Sequence, residues 1–161
     1  MAHFAKLGID NVVLRVAVVD NIRSMTVGGI EREDIGIEYL RETHGHENWV
    51  KCSRNTQLGQ HVDPETRLPD GGTALRGNYP SVGWFYNSEH DIFHPPRPFA
   101  SYTLNTTTGM WDPPIPKPEL TAEQEATPGA GYYWDEDAYQ ADNTQGWVYI
   151  VRTTPEQPVP E

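Results

Sequence analysis

His44, His46, Glu47, Cys52 and His61 stand close together in the chain, and their side chains are the kinds that bind zinc. Zinc takes nitrogen, sulfur and carboxylate oxygen, and two histidines at i and i+2 of a strand project to the same side. The spacing does not complete the idea. No CxxC, HExxH or facial-triad order surrounds these residues, so no metal ligand and no cofactor is assigned from them. The stretch DPETRLPDGG, Asp63 to Gly72, sets carboxylates near glycines, yet lacks the D-x-[DN]-x-[DN]-G order of a calcium loop. Nucleophiles fare no better. Ser81 and Ser101 lack the G-x-S-x-G elbow, and Cys52 can be drawn with His46 or His61 but has no local motif. Asp135 and Asp137 are two residues apart, which says nothing of a glycosidase partner. The expectation is a protein with no catalytic residues; a metal-dependent enzyme remains a third reading, carried by the His cluster alone.

A second constellation is better supplied. Trp84, Tyr86, Tyr102, Trp111, Trp134 and Trp147 are large anchors of the sort that dominate protein interfaces, and they are the expected partner-binding residues. They also fit a sugar-stacking platform, or a core, since aliphatic residues are few after Ala74.

These aromatics come in a repeated phrase. Tyr86-Asn87 aligns with Leu104-Asn105. An aromatic follows in each copy, Phe93 or Trp111, and then Pro95, Pro96 and Pro98 match Pro113, Pro114 and Pro116. Trp84 and Tyr86, like Tyr102 and Leu104, alternate before their Asn. Each copy reads as a β-hairpin with a proline-stiffened exit in polyproline geometry. A looser third copy pairs Tyr132 and Trp134 with Trp147 to Val151 across the loop EDAYQADNTQG. One small hairpin cannot bury its aromatics alone, so the copies must stack on each other or on a partner.

The remaining elements frame this array. Phe4 to Leu7 and Val12 to Val19 flank GIDN and predict a hairpin, with Val12, Leu14, Val16 and Val18 toward the core. Glu31 to Thr43 is the one helix candidate, with Ile37, Tyr39 and Leu40 as its stripe and Gly45 as its stop. Gly36 weakens that helix. Asn48 to Cys52 reads as a short strand, and Asn55 to Gly72 as a surface loop. The fold class expected is mainly β, with short antiparallel hairpins, one short helix and extended Pro-rich segments. The organisation expected is an N-terminal part over 1–72, tandem aromatic hairpins over 73–152 and a Pro-rich tail over 153–161, together forming one structural domain.

Composition narrows the partners. The chain has 161 residues, of which 37% are hydrophobic, with 14 glycines and 14 prolines. That describes many turns around a modest core. Five Trp, eight Tyr and four Phe are too many for a chain that stays solvated. A formal charge of −11 argues against nucleic acid, which demands clustered Lys and Arg, and against an anionic membrane surface. One cysteine permits no internal disulfide. No secretory h-region and no apolar span long enough for a bilayer are visible, so synthesis in a cytosol is expected.

Taken as a set, the motifs resemble a family. MAHFAKL before a turn and a Val-rich strand, a short helix, NWV, the Arg76-Gly77…Tyr79-Pro80…Gly83…Tyr86-Asn87 hairpin, PPRPFASYTLN, a Trp-x-Pro-Pro exit and a YYWDED…W ending are similar to small virion-type proteins of tailed phages, above all marine cyanophages. The likeness covers most of the chain. Asn21 to Glu31 and Asn55 to Gly72 look longer than the family's turns. The resemblance implies a virion component without catalytic residues, made in the host cytoplasm. It leaves head and tail both open. The expected function is a structural protein, foremost a capsid decoration or cement protein on phage capsid or other virion proteins, with homo-oligomerisation compatible. The alternative is a tail or fibre-associated adhesion module for host glycans.

Overall fold

A computed structural model describes residues 1–21 and 28–152. The proline-rich tail and most of the Asn21 to Glu31 stretch lie outside the described residues. The fold is mainly β, built of small antiparallel sheets with short helices. Contacts divide the chain into two compact units, Met1–Pro98 with Leu104–Asp112 and Phe99–Thr103 with Pro113–Glu161.

The first unit is organised on a three-stranded sheet in the order β2-β1-β3, with β1 at Ala2–Leu7, β2 at Val13–Val19 and β3 at Trp49–Cys52. The β1–β2 turn uses Asp10 and Asn11 at φ 56° and 58°, the left-handed region that these two residue types tolerate. Helix α1, Glu33–His44, ends at Gly45 with φ 59°, as its sequence predicts. Leu40 is buried, and Ile37 and Tyr39 pack against the same cluster. Gly36 has a packing purpose: a Cβ there would stand 2.3 Å from Phe4 Cζ. Its absence lets the helix close on the sheet.

The expected phase of β2 is corrected. Leu14 and Val18 are 46% and 54% exposed, whereas Val13, Ala17 and Val19 are buried. A bulge sets where Val13 lies. Lys6 pairs with Arg15 but Leu7 pairs with Val13, so Leu14 is extra. Ala17 and Val19, paired in regular register with Phe4 and Ala2, lie with Phe4 and Trp49 under α1 independently of the bulge, which carries Val13 across to the opposite face. There it joins Ala5, Leu7, Cys52 and Phe93 in a second core, with Val16, Val50, Trp84 and Tyr86 around it. The sheet is covered on both faces, which simple alternation along one strand does not anticipate.

The expected surface loop over Asn55 to Gly72 is also corrected. It holds a hairpin, β4 (Thr56–Gln57) with β5 (Gln60–His61), and a bridge between Val62 and Pro69. Thr56 and Val62 are buried. Leu58 and Gly59 make the turn at φ 51° and 75°. A branched apolar residue in that conformation gives no sequence signal for a two-residue hairpin.

The repeat folds as its alignment predicts. Strands β6 (Phe85–Asn87) and β7 (Ile92–His94) form one hairpin, and β8 (Thr103–Asn105) and β9 (Met110–Asp112) the next. Asn87 Oδ1 accepts from the Glu89 and His90 amides, and Asn105 Oδ1 from those of Thr107 and Thr108. Asp91 and Gly109 then occupy the same left-handed position, φ 49° and 68°. Asn105 to Gly109 thus form a turn equivalent to Asn87 to Asp91.

The second unit centres on β10 (Ala130–Trp134) paired with β11 (Trp147–Val151), with Trp134 opposite Trp147 and Tyr132 opposite Tyr149. Two further short helices lie here, α2 (Ala122–Glu125) and α3 (Glu136–Ala141). Both are set by local caps. Thr121 and Gln124 make a reciprocal capping box, and Asp135 Oδ1 accepts from the Ala138 amide. No helix among the described residues is long and apolar enough to cross a membrane.

Candidate functional site

Both internal proline runs are gripped by the tryptophan of the hairpin that follows them. The Trp111 indole N–H donates to the Pro95 carbonyl at 2.8 Å, and the Arg97 guanidinium lies 5.4 Å from the Trp111 ring centroid. The Trp147 indole N–H donates to the Ile115 carbonyl at 2.8 Å, and Lys117 Nζ lies 6.0 Å from the Trp147 ring centroid. Neither run belongs to a strand ladder, so its carbonyls are left for other donors and an indole can take one. A cation from the same run then covers the ring face. Neither run is a free arm; each is latched.

Asn78 ties the hairpins of the first unit together. It is 4% exposed. Its Oδ1 accepts from the Leu58 amide, and its Nδ2 donates to the carbonyls of Phe93 and Thr108. One side chain thereby joins the β4–β5 turn, strand β7 and the β8–β9 turn. Gly109 makes room: a Cβ there would stand 2.5 Å from Asn78 Nδ2.

Arg76 ties the hairpins to the sheet. Its guanidinium donates to both Glu33 carboxylate oxygens at 2.9 and 3.1 Å, to the Lys51 carbonyl at 2.9 Å and to Asp91 Oδ1 at 2.6 Å. Tyr86 donates its hydroxyl to the same Asp91 oxygen. Burial opposes the Arg76 charge, but the Glu33 and Asp91 carboxylates outweigh it and its pKa ends above the ordinary value.

Glu136 is the corresponding knot of the second unit. Its carboxylate accepts from the Ser101 amide and hydroxyl, the Trp134 indole and the Gln140 amide. The Ser101 hydroxyl and then the Trp134 indole hold its pKa below the usual carboxylate range. With four donors it is a positioned acceptor, not a poised acid.

Of the predicted partner-binding residues, Trp134 and Tyr102 are core, 4% and 8% exposed, with ring centroids 5.5 Å apart. Trp84 and Tyr86 border the second core of the sheet. Trp111 and Trp147 are half-buried and carry the latches. The six fall to different hairpins and different units.

The histidines and cysteine of the sequence cluster are divided. His44 and His46 pack on the Trp49 ring, with centroids at 5.7 and 6.0 Å, and His46 Nε2 is 2.7 Å from the Leu7 carbonyl. Cys52 and His61 line a separate cleft of about 550 Å³ that also takes in His3, Lys51, Arg54 and Asn55. There His61 Nδ1 is 2.7 Å from Asp70 Oδ1, and Lys51 pairs with Glu31. Burial pushes the Cys52 thiol up to about 12, against the pull of Arg76, so at neutral pH it is no nucleophile. Among the described residues no three His, Cys, Asp or Glu side chains are grouped to hold a metal ion.

The latches, Asn78 and Arg76 escaped sequence reasoning. The partners are far apart in the chain, and a Trp–carbonyl bond has no motif. The faint signal was the coincidence of a Trp after each proline run with a cation inside it. Searched against protein-family models, curated proteins and solved structures, the chain gives no match.

Proposed function

We propose that this protein is a non-enzymatic structural component of a tailed-phage virion, a capsid decoration protein that docks on the assembled shell through the outer edge of β2. One observation carries the docking mode. On that edge Val13 exchanges bonds with Gly83 and Trp84, and Val12 bridges to Phe85. From Leu14 to Val19 no described strand pairs with it. Leu14 and Val18 are exposed along the same stretch, with Arg15 as its one charge. An unpaired, Val-rich edge is a template for a strand of another chain. The virion setting rests on the motif set that resembles phage proteins. The latched proline runs support the reading, because a body stiffened before docking loses little further freedom on binding.

The glycan alternative has no observation in its favour: Trp134 and Tyr102 are core, and Trp111 and Trp147 already carry cations of their own chain. Quantifying the protein in purified particles tests the proposal. A copy number comparable with the shell subunits is expected; a handful of copies per particle, or none, overturns it.

A further inference from the structure

Four of the five tryptophans have their indole N–H committed within the chain: Trp49 to the His46 carbonyl, Trp134 to Glu136, and Trp111 and Trp147 to the proline runs. Trp84 is the fifth. Among the described residues its N–H meets no acceptor, and it is not a buried orphan, since the one buried unpartnered side-chain atom is Asn55 Oδ1. The Trp84 donor is therefore open to solvent.

Trp84 lines a groove of about 330 Å³ with Tyr79, Leu58 and Met110, bordered by Arg54 and Arg67. Neither arginine has a carboxylate partner among the described residues. The Arg67 guanidinium donates to the Arg54 carbonyl. In a chain of net charge −11, two arginines with no carboxylate partner among the described residues line an aromatic groove that holds no acidic residue. An aromatic wall, a free indole N–H and a cationic rim match an extended segment that has proline carbonyls and carboxylates. The chain already uses the first two of these on its own proline runs. Its sequence also contains a segment with all the complementary features. Residues 153–161, TTPEQPVPE, carry three prolines, two glutamates and no cation.

We propose that the Trp84 groove is a binding site for the proline-rich acidic segment 153–161 of a second copy of this chain. A contact of this kind uses two different surfaces, so it closes into a reciprocal pair or a ring where the geometry returns on itself and runs on from copy to copy where it does not. The inference stands independently of the virion reading.

The test uses the full chain in solution and the synthetic peptide TTPEQPVPE. Indole N–H resonances are followed by two-dimensional NMR, and Trp84→Phe assigns the Trp84 signal by its loss. The expected result is a saturable downfield shift confined to Trp84 on adding peptide, and the same shift as the protein alone is concentrated. Arg54→Glu with Arg67→Glu should weaken the peptide by ~10-fold or more, as loss of two charge-assisted contacts implies. The other four indole signals, unchanged in that variant, report that it is folded. A Trp84 signal that does not move at millimolar peptide overturns the proposal. So does an equal response to the charge-reversed peptide TTPKQPVPK. A shift already complete at high dilution, independent of protein concentration, overturns assignment to a second copy.

Discussion

Asn78, Gly36 and Cys52 show how much of this molecule rests on single side chains. Asn78→Ala would leave two carbonyls and the Leu58 amide without their partner inside the first unit. The expected loss is about 3 kcal/mol, set by one or two buried groups left unpaired. Urea unfolding checks it. Gly36→Ala drives a methyl into the Phe4 ring, 2.3 Å from Cζ, and overpacking of that kind costs ~1–3 kcal/mol. The change is informative because an ordinary exposed helix position would instead gain from alanine. Cys52 predicts a chemical result. With its thiol at about 12 and its side chain buried, a thiol reagent at pH 8 should label the native protein very slowly and the urea-unfolded chain fast. Prompt labelling of the native state would contradict the packing described for β3.

At the scale of elements, the proline latches are the feature to perturb. Trp111→Phe keeps an aromatic ring but removes the donor to Pro95, and Trp147→Phe does the same to Ile115. Each should cost about 1 kcal/mol, the ordinary net value of one hydrogen bond. Lys117→Ala should cost less, ~0.5 kcal/mol, as an exposed cation–π contact does. Thermal unfolding of the three variants gives the ranking. Elements are also where the sequence was most and least informative. The twin hairpins were legible because Asn87 and Asn105 cap equivalent turns and the proline exits follow at one spacing. Gly45 marked the end of α1. The phase of β2 was not legible, because the bulge at Leu14 depends on how β1 pairs with it. The β4–β5 hairpin was hidden because Leu58 sits at positive φ, where its amide is held by Asn78 twenty residues on. Helix α3 was hidden in a polar loop, since one Asp135 cap over six residues leaves no apolar period to detect. The candidate docking edge was half legible: a Val-rich strand is plain in the sequence, but which residues it exposes is decided by its pairing with β1.

For the whole molecule, the acidic balance and its hydrogen-bonded carboxylates dictate the response to pH. Backbone amides and the Thr66 hydroxyl hold Asp63 below the usual range; the Gly72 amide and His61 do so for Asp70. In the second unit the Ser101 and Trp134 donors depress Glu136, and Thr144 depresses Asp142. A carboxylate with a lowered folded pKa stabilises the fold above its unfolded pKa, and that contribution fades as pH falls through the folded value. Stability should therefore fall below about pH 5 as these carboxylates protonate, after an earlier decline below about pH 6.5, because burial lowers the His3 pKa and the unfolded chain takes up that proton first. Glu136→Gln should flatten the acid limb of the second unit and leave that of the first unchanged, which the separate indole N–H resonances of Trp134 and Trp147 in the second unit and of Trp49, Trp84 and Trp111 in the first can distinguish. The central claim, attachment through the open edge of β2, is met most directly by high-resolution imaging of intact particles. The account predicts this chain on the outer shell at high occupancy, with a strand of a neighbouring protein paired along Leu14 to Val19. Particles on which the chain is seated with that edge facing solvent would contradict it.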